Sequence, residues 1–183
     1  MIVIIDNGKG ANEIASIIRS SKVVKPSSIP DASAYIVSDG ANANNKDVIS
    51  FVKKNSKPLL AIGAGYLQLG VAFGSTIRPF NISGSERLTI KQRSPILLDL
   101  KKSFSVVCSQ KHILSECPEC FGPIASSAKN ELAAIQHGAS LVEAVENPLP
   151  LFGVHFNPES GGDGRKIVDN FVKFVEIWNK YHN

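Results

Sequence analysis

Three stretches of the sequence gather residue types that could do chemistry. The first runs from Pro58 to Gly70, where the apolar Leu59-Leu60-Ala61-Ile62 meets Gly63-Ala64-Gly65 and then a helix-like stretch from Tyr66 to Phe73. Strand, sharp turn and helix in that order form the device that lifts a Ser or Cys above the end of a sheet, with small neighbours giving it room. At the tip here stands Gly63, which has no side chain to attack with. The second stretch, His155-Phe156-Asn157-Pro158-Glu159, holds an imidazole, an amide and a carboxylate two residues apart. The third, Cys108 to Cys120, offers Cys108, His112, Cys117 and Cys120 as four metal-ligand types.

Each stretch has a functional and a bland reading. Gly63 is either an elbow that has lost its nucleophile or a turn glycine in a sheet that never had one. An amide is no general base near neutral pH, so Asn157 does not relay protons. His155 is two residues before Asn157, and on a strand the two share a face about 6.5–7 Å apart. It is either a relocated base, still without a nucleophile, or a histidine lining a vestigial pocket. Cys117-Pro118-Glu119-Cys120 has CxxC form, but a zinc knuckle pairs two such units or adds paired histidines. A redox CxxC opens a helix after a strand. The expectation is a buried Cys108 and two loop thiols, with no metal and no cofactor; zinc or redox chemistry is the alternative. Asp6, Asp39 and Glu159 could cluster at strand ends, although turn chemistry alone would select Asp6 and Asp39.

Alternating strand and helix signals must position these residues. Ile2–Ile5 reads as a strand, Ala11–Arg19 as a helix with Ile14, Ile17 and Ile18 on one face, and Val23-Val24 as a weak strand. Tyr35-Ile36-Val37 is a clearer strand, Asp47–Lys54 a helix, and Leu59–Ile62 the strand before the bend. Short strands follow at Arg87–Gln92, Phe104–Ser109, Leu132–His137, Leu141–Val145 and Leu151–Phe156, which suggest an antiparallel addition. Gly161 to Gly164 reads as a loop, and a helix from about Gly164 to Trp178 closes the chain. The pattern predicts an α/β fold with a mixed, mostly parallel central sheet flanked by helices, as a single domain over residues 1–183, with its pocket at the strands' C-terminal ends.

Composition bounds the rest. The chain has 183 residues, 43% hydrophobic and 20% charged, which suits one globular core. No apolar stretch approaches the roughly 20 residues that cross a bilayer, so no membrane role is expected. The three cysteines and the absence of an export-like segment suggest a reducing, cytoplasmic setting. The net charge of +4 is spread thinly, with only short pairs such as Lys53-Lys54 and Lys101-Lys102. Nucleic-acid binding, which needs basic residues gathered on one face, is not expected.

Several segments recur in the order and spacing of a known family: Ile4-Ile5-Asp6-Asn7-Gly8, Val37-Ser38-Asp39-Gly40-Ala41, the bend at Gly63, Phe152 to Glu159, and Gly164-Arg165-Lys166-Ile167 with Asn170-Phe171. The chain resembles a class I glutamine amidotransferase domain over nearly its whole length, and most resembles the glutaminase subunit of two-subunit GMP synthases. In that family a Cys thiolate attacks the glutamine side-chain amide, a His relays the proton, a Glu orients the His and backbone N–H groups hold the oxyanion. Carried over, the Cys position is Gly63, the His position Asn157 and the Glu position Glu159. The glutamine-contacting Gln falls on Leu67, with Gln68 about 100° further round the helix. Asp39 stands where a glycine is usual and Ala41 where a proline is usual; Ser38 and Gly40 fit.

The resemblance therefore implies a degenerate triad beside a vestigial pocket of Gly40, Gly65, Leu67 and His155. Losing the nucleophile of a triad costs roughly a million-fold, about 8 kcal/mol of barrier, so no glutaminase activity is expected. Gly at the tip also adopts strained elbow dihedrals almost freely. What the family would leave is a binding, regulatory or docking domain of purine biosynthesis. Its partner would be a synthetase-type (ATP pyrophosphatase) subunit, and its small ligand, where one is kept, glutamine. An enzyme with a repurposed pocket, doing other hydrolytic or transfer chemistry, is the alternative.

Overall fold

The computed structural model describes residues 1–182. Four short apolar runs, Ile2–Ile5 (β1), Ala34–Val37 (β3), Leu59–Ile62 (β4) and Leu151–Val154 (β9), are buried along their whole length. Strands covered on both faces need such unbroken runs. With Ser21–Val24 (β2) at the edge they form a parallel array in the order β2-β1-β3-β4-β9. Successive side chains point to opposite faces. Ile2 and Ile4 pack on one side with Ala11–Ile17 (α1) and Gly164–His182 (α4), while Val3 and Ile5 pack on the other with Lys46–Lys54 (α2) and Ala64–Ala72 (α3). The expected α/β architecture, a mixed and mostly parallel sheet flanked by helices, is what the chain forms. Among the described residues no helix is long and apolar enough to cross a membrane.

The sheet continues beyond β9 through Ala134–His137 (β8), Phe121–Ser126 (β7), Ile77–Ile90 (β5) and Ser103–Leu114 (β6), all antiparallel. This part departs most from the sequence expectation. Strand β5 begins ten residues before the expected Arg87, because Pro79, Asn81, Ser83 and Gly84 disguise its alternation. Pro79 sits beside an irregularity in the β5–β6 register, where a missing N–H is tolerated. Strand β7 was not expected at all: Gly122-Pro123 reads as a turn, yet Pro123 lies at another register shift.

Leu141–Val145, expected as a strand, forms bends and irregular chain instead. The Ser140 hydroxyl accepts the N–H groups of Val142 and Glu143 at 3.3 Å each, a local alternative to ladder pairing. Leu141 and Val142 are left exposed. Helix α1 stops at Ile17 rather than Arg19, since Ile18 is already extended, and α4 runs on to His182.

Candidate functional site

Strand β4 ends at Ile62 and helix α3 begins at Ala64, so one residue makes the whole turn. That residue, Gly63, has φ 56° and ψ −114°, a region costly for any side chain-bearing residue and nearly free for glycine. Its N–H donates to Val154 O at 3.0 Å, which ties the bend to β9. Gly65, two residues on, is a packing glycine: a Cβ there would stand 2.8 Å from both Cγ1 and the carbonyl oxygen of Val37.

Above the bend lies the Asp39 carboxylate, in the loop that follows β3. Oδ1 accepts the N–H of Ala64 and the N–H of Gly40, each at 2.8 Å. Oδ2 accepts Gln110 Nε2 at 2.9 Å and Asn157 Nδ2 at 2.8 Å, with Lys9 Nζ 3.6 Å away. The residue is 2% exposed. A buried carboxylate is tolerable only when its lone pairs are met by donors, and charge-assisted bonds of this kind are the strong ones. A Cβ built on Gly63 would overlap this carboxylate and come within 2.7 Å of Gln110 Nε2.

Asn157 holds the neighbouring corner. Its side-chain oxygen accepts the N–H of Ser109 at 3.1 Å and Gln110 Nε2 at 3.3 Å, while Nδ2 reaches both Asp39 and, at 3.3 Å, Glu159 Oε1. Glu159 Oε2 is buried with no partner. Burial pushes the Glu159 carboxyl above its ordinary value, opposed by the Asn157 hydrogen bond and supported by the Asp39 charge. Gly63, Asn157 and Glu159 are thus brought together around Asp39, in a hydrogen-bonded cluster that contains no thiol, hydroxyl or imidazole.

His155 goes elsewhere. Strand β9 ends at Val154, so strand alternation does not carry His155 to the side of Asn157. Its ring lies against Tyr66, with centroids 5.4 Å apart. Nε2 is 2.8 Å from His112 O and Nδ1 is 3.9 Å from Cys108 Sγ. The carbonyl can only accept, so Nε2 carries the proton and Nδ1 faces the thiol. Burial pulls the His155 imidazole below its usual value and pushes the Cys108 thiol up to about 12. The pair is a neutral thiol against a neutral imidazole, the reverse of an activated thiolate. Both line a void of only about 10 Å³.

The open cleft, about 650 Å³, lies over the cluster between the Gly8–Lys9 and Gly40–Ala43 loops and the β5–β6 ribbon. Gly40 and Leu67 line it; Gly65 and His155 do not. Gln68 turns the other way and clamps the loops: Nε2 donates to Asn42 O at 2.8 Å, and Oε1 accepts Asn7 Nδ2 at 2.9 Å. Gly40 itself has no room for a Cβ, which would overlap Asn7 O. The four cysteine and histidine residues of the third stretch are dispersed. Cys108 is buried, Cys117 is exposed and Cys120 is half-buried. Among the described residues no group of three or more His, Cys, Asp or Glu could hold a metal ion.

Gln110 and Lys9 are site residues that sequence reasoning misses, whereas Asp39 figures there as a departure, as a turn residue and as one of three acids that could cluster at strand ends. Gln110 could have been found. Phe104, Val106 and Cys108 are buried in strict alternation along β6, and one more step of two reaches Gln110. Nothing in the sequence singles out Lys9.

The sequence model of the family described as glutamine amidotransferase class-I matches residues 11–174. Among curated proteins no sequence relative matches. Among solved structures, the fold is similar to a protein from Thermoplasma acidophilum assigned as one of the subunits of GMP synthase, with a TM-score of 0.84 at 20% identity over 98% of this chain and 95% of that one. It is also similar to a glutamine amidotransferase from Thermotoga maritima, with a TM-score of 0.67 at 13% identity over 100% of this chain and 85% of that one.

Proposed function

The chain belongs to the class-I glutamine amidotransferase family, and from that premise we propose that it keeps the family's fold without its glutaminase chemistry and serves as a docking domain for a synthetase-type (ATP pyrophosphatase) subunit. Gly63, Asn157 and Glu159 are then the degenerate positions of a Cys-His-Glu triad. The space above Gly63 carries this reading. A nucleophile's Cβ would overlap the Asp39 carboxylate there, and the nearest neighbours on the site's other side are the amides of Gln110 and Asn157. Acyl transfer needs a nucleophile, a base and an empty oxyanion site. The cluster offers no thiol, hydroxyl or imidazole, and its two oxyanion N–H groups are already taken by Asp39.

The docking partner is inferred from the likeness to the Thermoplasma GMP synthase protein. A domain that no longer makes ammonia can still occupy its place on a synthetase, because an interface depends on the outer surface and not on the elbow. The test uses the purified chain alone and mixed with the ATP pyrophosphatase subunit of the same organism. Expected are ammonia release from glutamine no faster than in buffer, and co-elution of the two chains. Glutamine turnover that Glu159→Ala abolishes would sink the loss of chemistry; separate elution at concentrations well above micromolar would sink the docking.

A further inference from the structure

We infer that the Asp39 carboxylate is a tethered ligand of an oxyanion site that the bend has kept, and that it shuts the site to free carboxylates and to the side-chain amide of glutamine. The inference rests on reading Gly63 as an emptied elbow. An elbow forms its oxyanion hole from the N–H of the residue after the nucleophile together with an N–H from a neighbouring loop. Here the N–H after the bend is that of Ala64, at the start of the nine-residue α3, and the loop N–H is that of Gly40. Both point at one atom, Asp39 Oδ1, at 2.8 Å each. This is the geometry of two donors on one developing oxyanion, realised by a resident carboxylate.

Local turn chemistry does not account for the arrangement. An aspartate in a loop commonly accepts a nearby backbone N–H, and the Gly40 bond alone would be no more than that. The remaining donors come from three other parts of the chain: Ala64 is 25 residues away, Gln110 is 71 and Asn157 is 118. Lys9 adds a cation at 3.6 Å from a fourth. The lone pairs of both oxygens are met, and the residue is closed from water.

Tethering decides the competition. A carboxylate or amide oxygen entering the cleft must displace a group held at high effective concentration by its own backbone, and must leave that group buried without its donors. The open volume of about 650 Å³ above Asp39 is therefore accessible while the acyl position beneath it is not. Ala64 and Gly40 offer the same two donors to whatever oxygen stands at that point, so removing the tether should turn the position into a site for small carboxylates.

Asp39→Gly does this, and thermal unfolding reads the outcome in sodium formate against sodium chloride at equal ionic strength. The wild-type Tm is expected to be the same in both salts. The Tm of Asp39→Gly is expected to rise saturably with formate by several degrees, and less with neutral formamide, a weaker acceptor for the same two N–H groups. Glutamine should raise the Tm of the variant and leave the wild type unmoved. A variant that responds to formate no more than to chloride overturns the inference, as does a wild type stabilised by glutamine to the same degree. The wild-type chain gives a measurement that needs no variant: the Gly40 and Ala64 amides should exchange hydrogen slowly, and exchange at the rate of open loop amides would count against the tethered carboxylate. Ammonia release by the wild type would sink the proposed loss of chemistry; absence of formate rescue sinks only the inference about Asp39.

Discussion

The Asp39 carboxylate stands where a Cβ on Gly63 would be, so the two residues fix each other's identity. Gly63→Ala must displace the carboxylate from its donors and also hold a side chain at φ 56°. Overpacking and backbone strain together should cost roughly 2–4 kcal/mol. With Asp39→Gly already present the strain and a contact with the movable Gln110 amide remain, roughly 1–3 kcal/mol. Urea unfolding of the wild type, both single variants and the double variant should show a coupling of about 1 kcal/mol or more. Simple additivity would mean that the two residues do not compete for the same space.

Glu159 supplies a pH dependence with a definite sign. Its carboxyl is raised above the ordinary 4.5, chiefly by burial, and Oε2 has no partner. The protonated form is the one the fold prefers. Its contribution to stability is complete below the unfolded value and is lost as pH rises through the higher folded value. Glu159→Gln removes that loss, so the variant should gain on the wild type as pH rises from the ordinary carboxylate value of 4.5 toward neutrality, and match it in more acid solution. Parallel stability curves for the two proteins would contradict a buried, half-satisfied carboxylate.

The parallel half of the fold was legible because each of its inner strands is buried on both faces and so reads as an unbroken apolar run. Leu59–Ile62 and the following small residues also gave away the bend, since a one-residue turn between strand and helix demands glycine or strain. The β5–β6 ribbon was half hidden. One of its faces carries Asn81, Ser83 and Arg87 toward solvent, and Pro79 and Gly84 look like breakers, although Pro79 sits beside a register shift and Gly84 pairs in register with Cys108. The sequence drew attention to Gly63 and Asn157, which the fold brings to one cluster, but not to the hydrogen bonds that close it. The carboxylate that fills it comes from a loop whose Ser-Asp-Gly sequence is ordinary turn chemistry, and its partners lie up to 118 residues away. Sequence periodicity carries no information about such long-range polar closure.

His155 should make the protein acid-sensitive. Its imidazole is held below the usual 6.5, mainly by burial, so the neutral form is the one that packs against Tyr66 and Cys108. Stability from this group is present above the unfolded value and is lost as pH falls toward the lower folded value. His155→Gln keeps a donor for His112 O and removes the titration. The wild type should lose stability more steeply than the variant as pH falls below the usual imidazole value of 6.5, in denaturant unfolding at matched ionic strength. Identical slopes would show that the ring is not desolvated.

The three thiols should separate cleanly by accessibility. Cys117 is exposed and Cys120 half-buried, on the turn between β6 and β7, whereas Cys108 is buried beside His155. Reaction with an aromatic disulfide reagent requires both a thiolate and access. Burial raises all three thiols, Cys108 to about 12, so native labelling should be slow even where it is possible. Two thiols are expected to titrate in the folded protein, faster as pH rises, and the third only at the rate of unfolding. Rapid labelling of Cys108 in the native state would reveal an activated Cys–His pair away from the bend and would reopen nucleophilic chemistry for this chain. Protection of Cys117 and Cys120 that a chelator relieves would instead restore the metal alternative, because thiolates are shielded when they coordinate zinc.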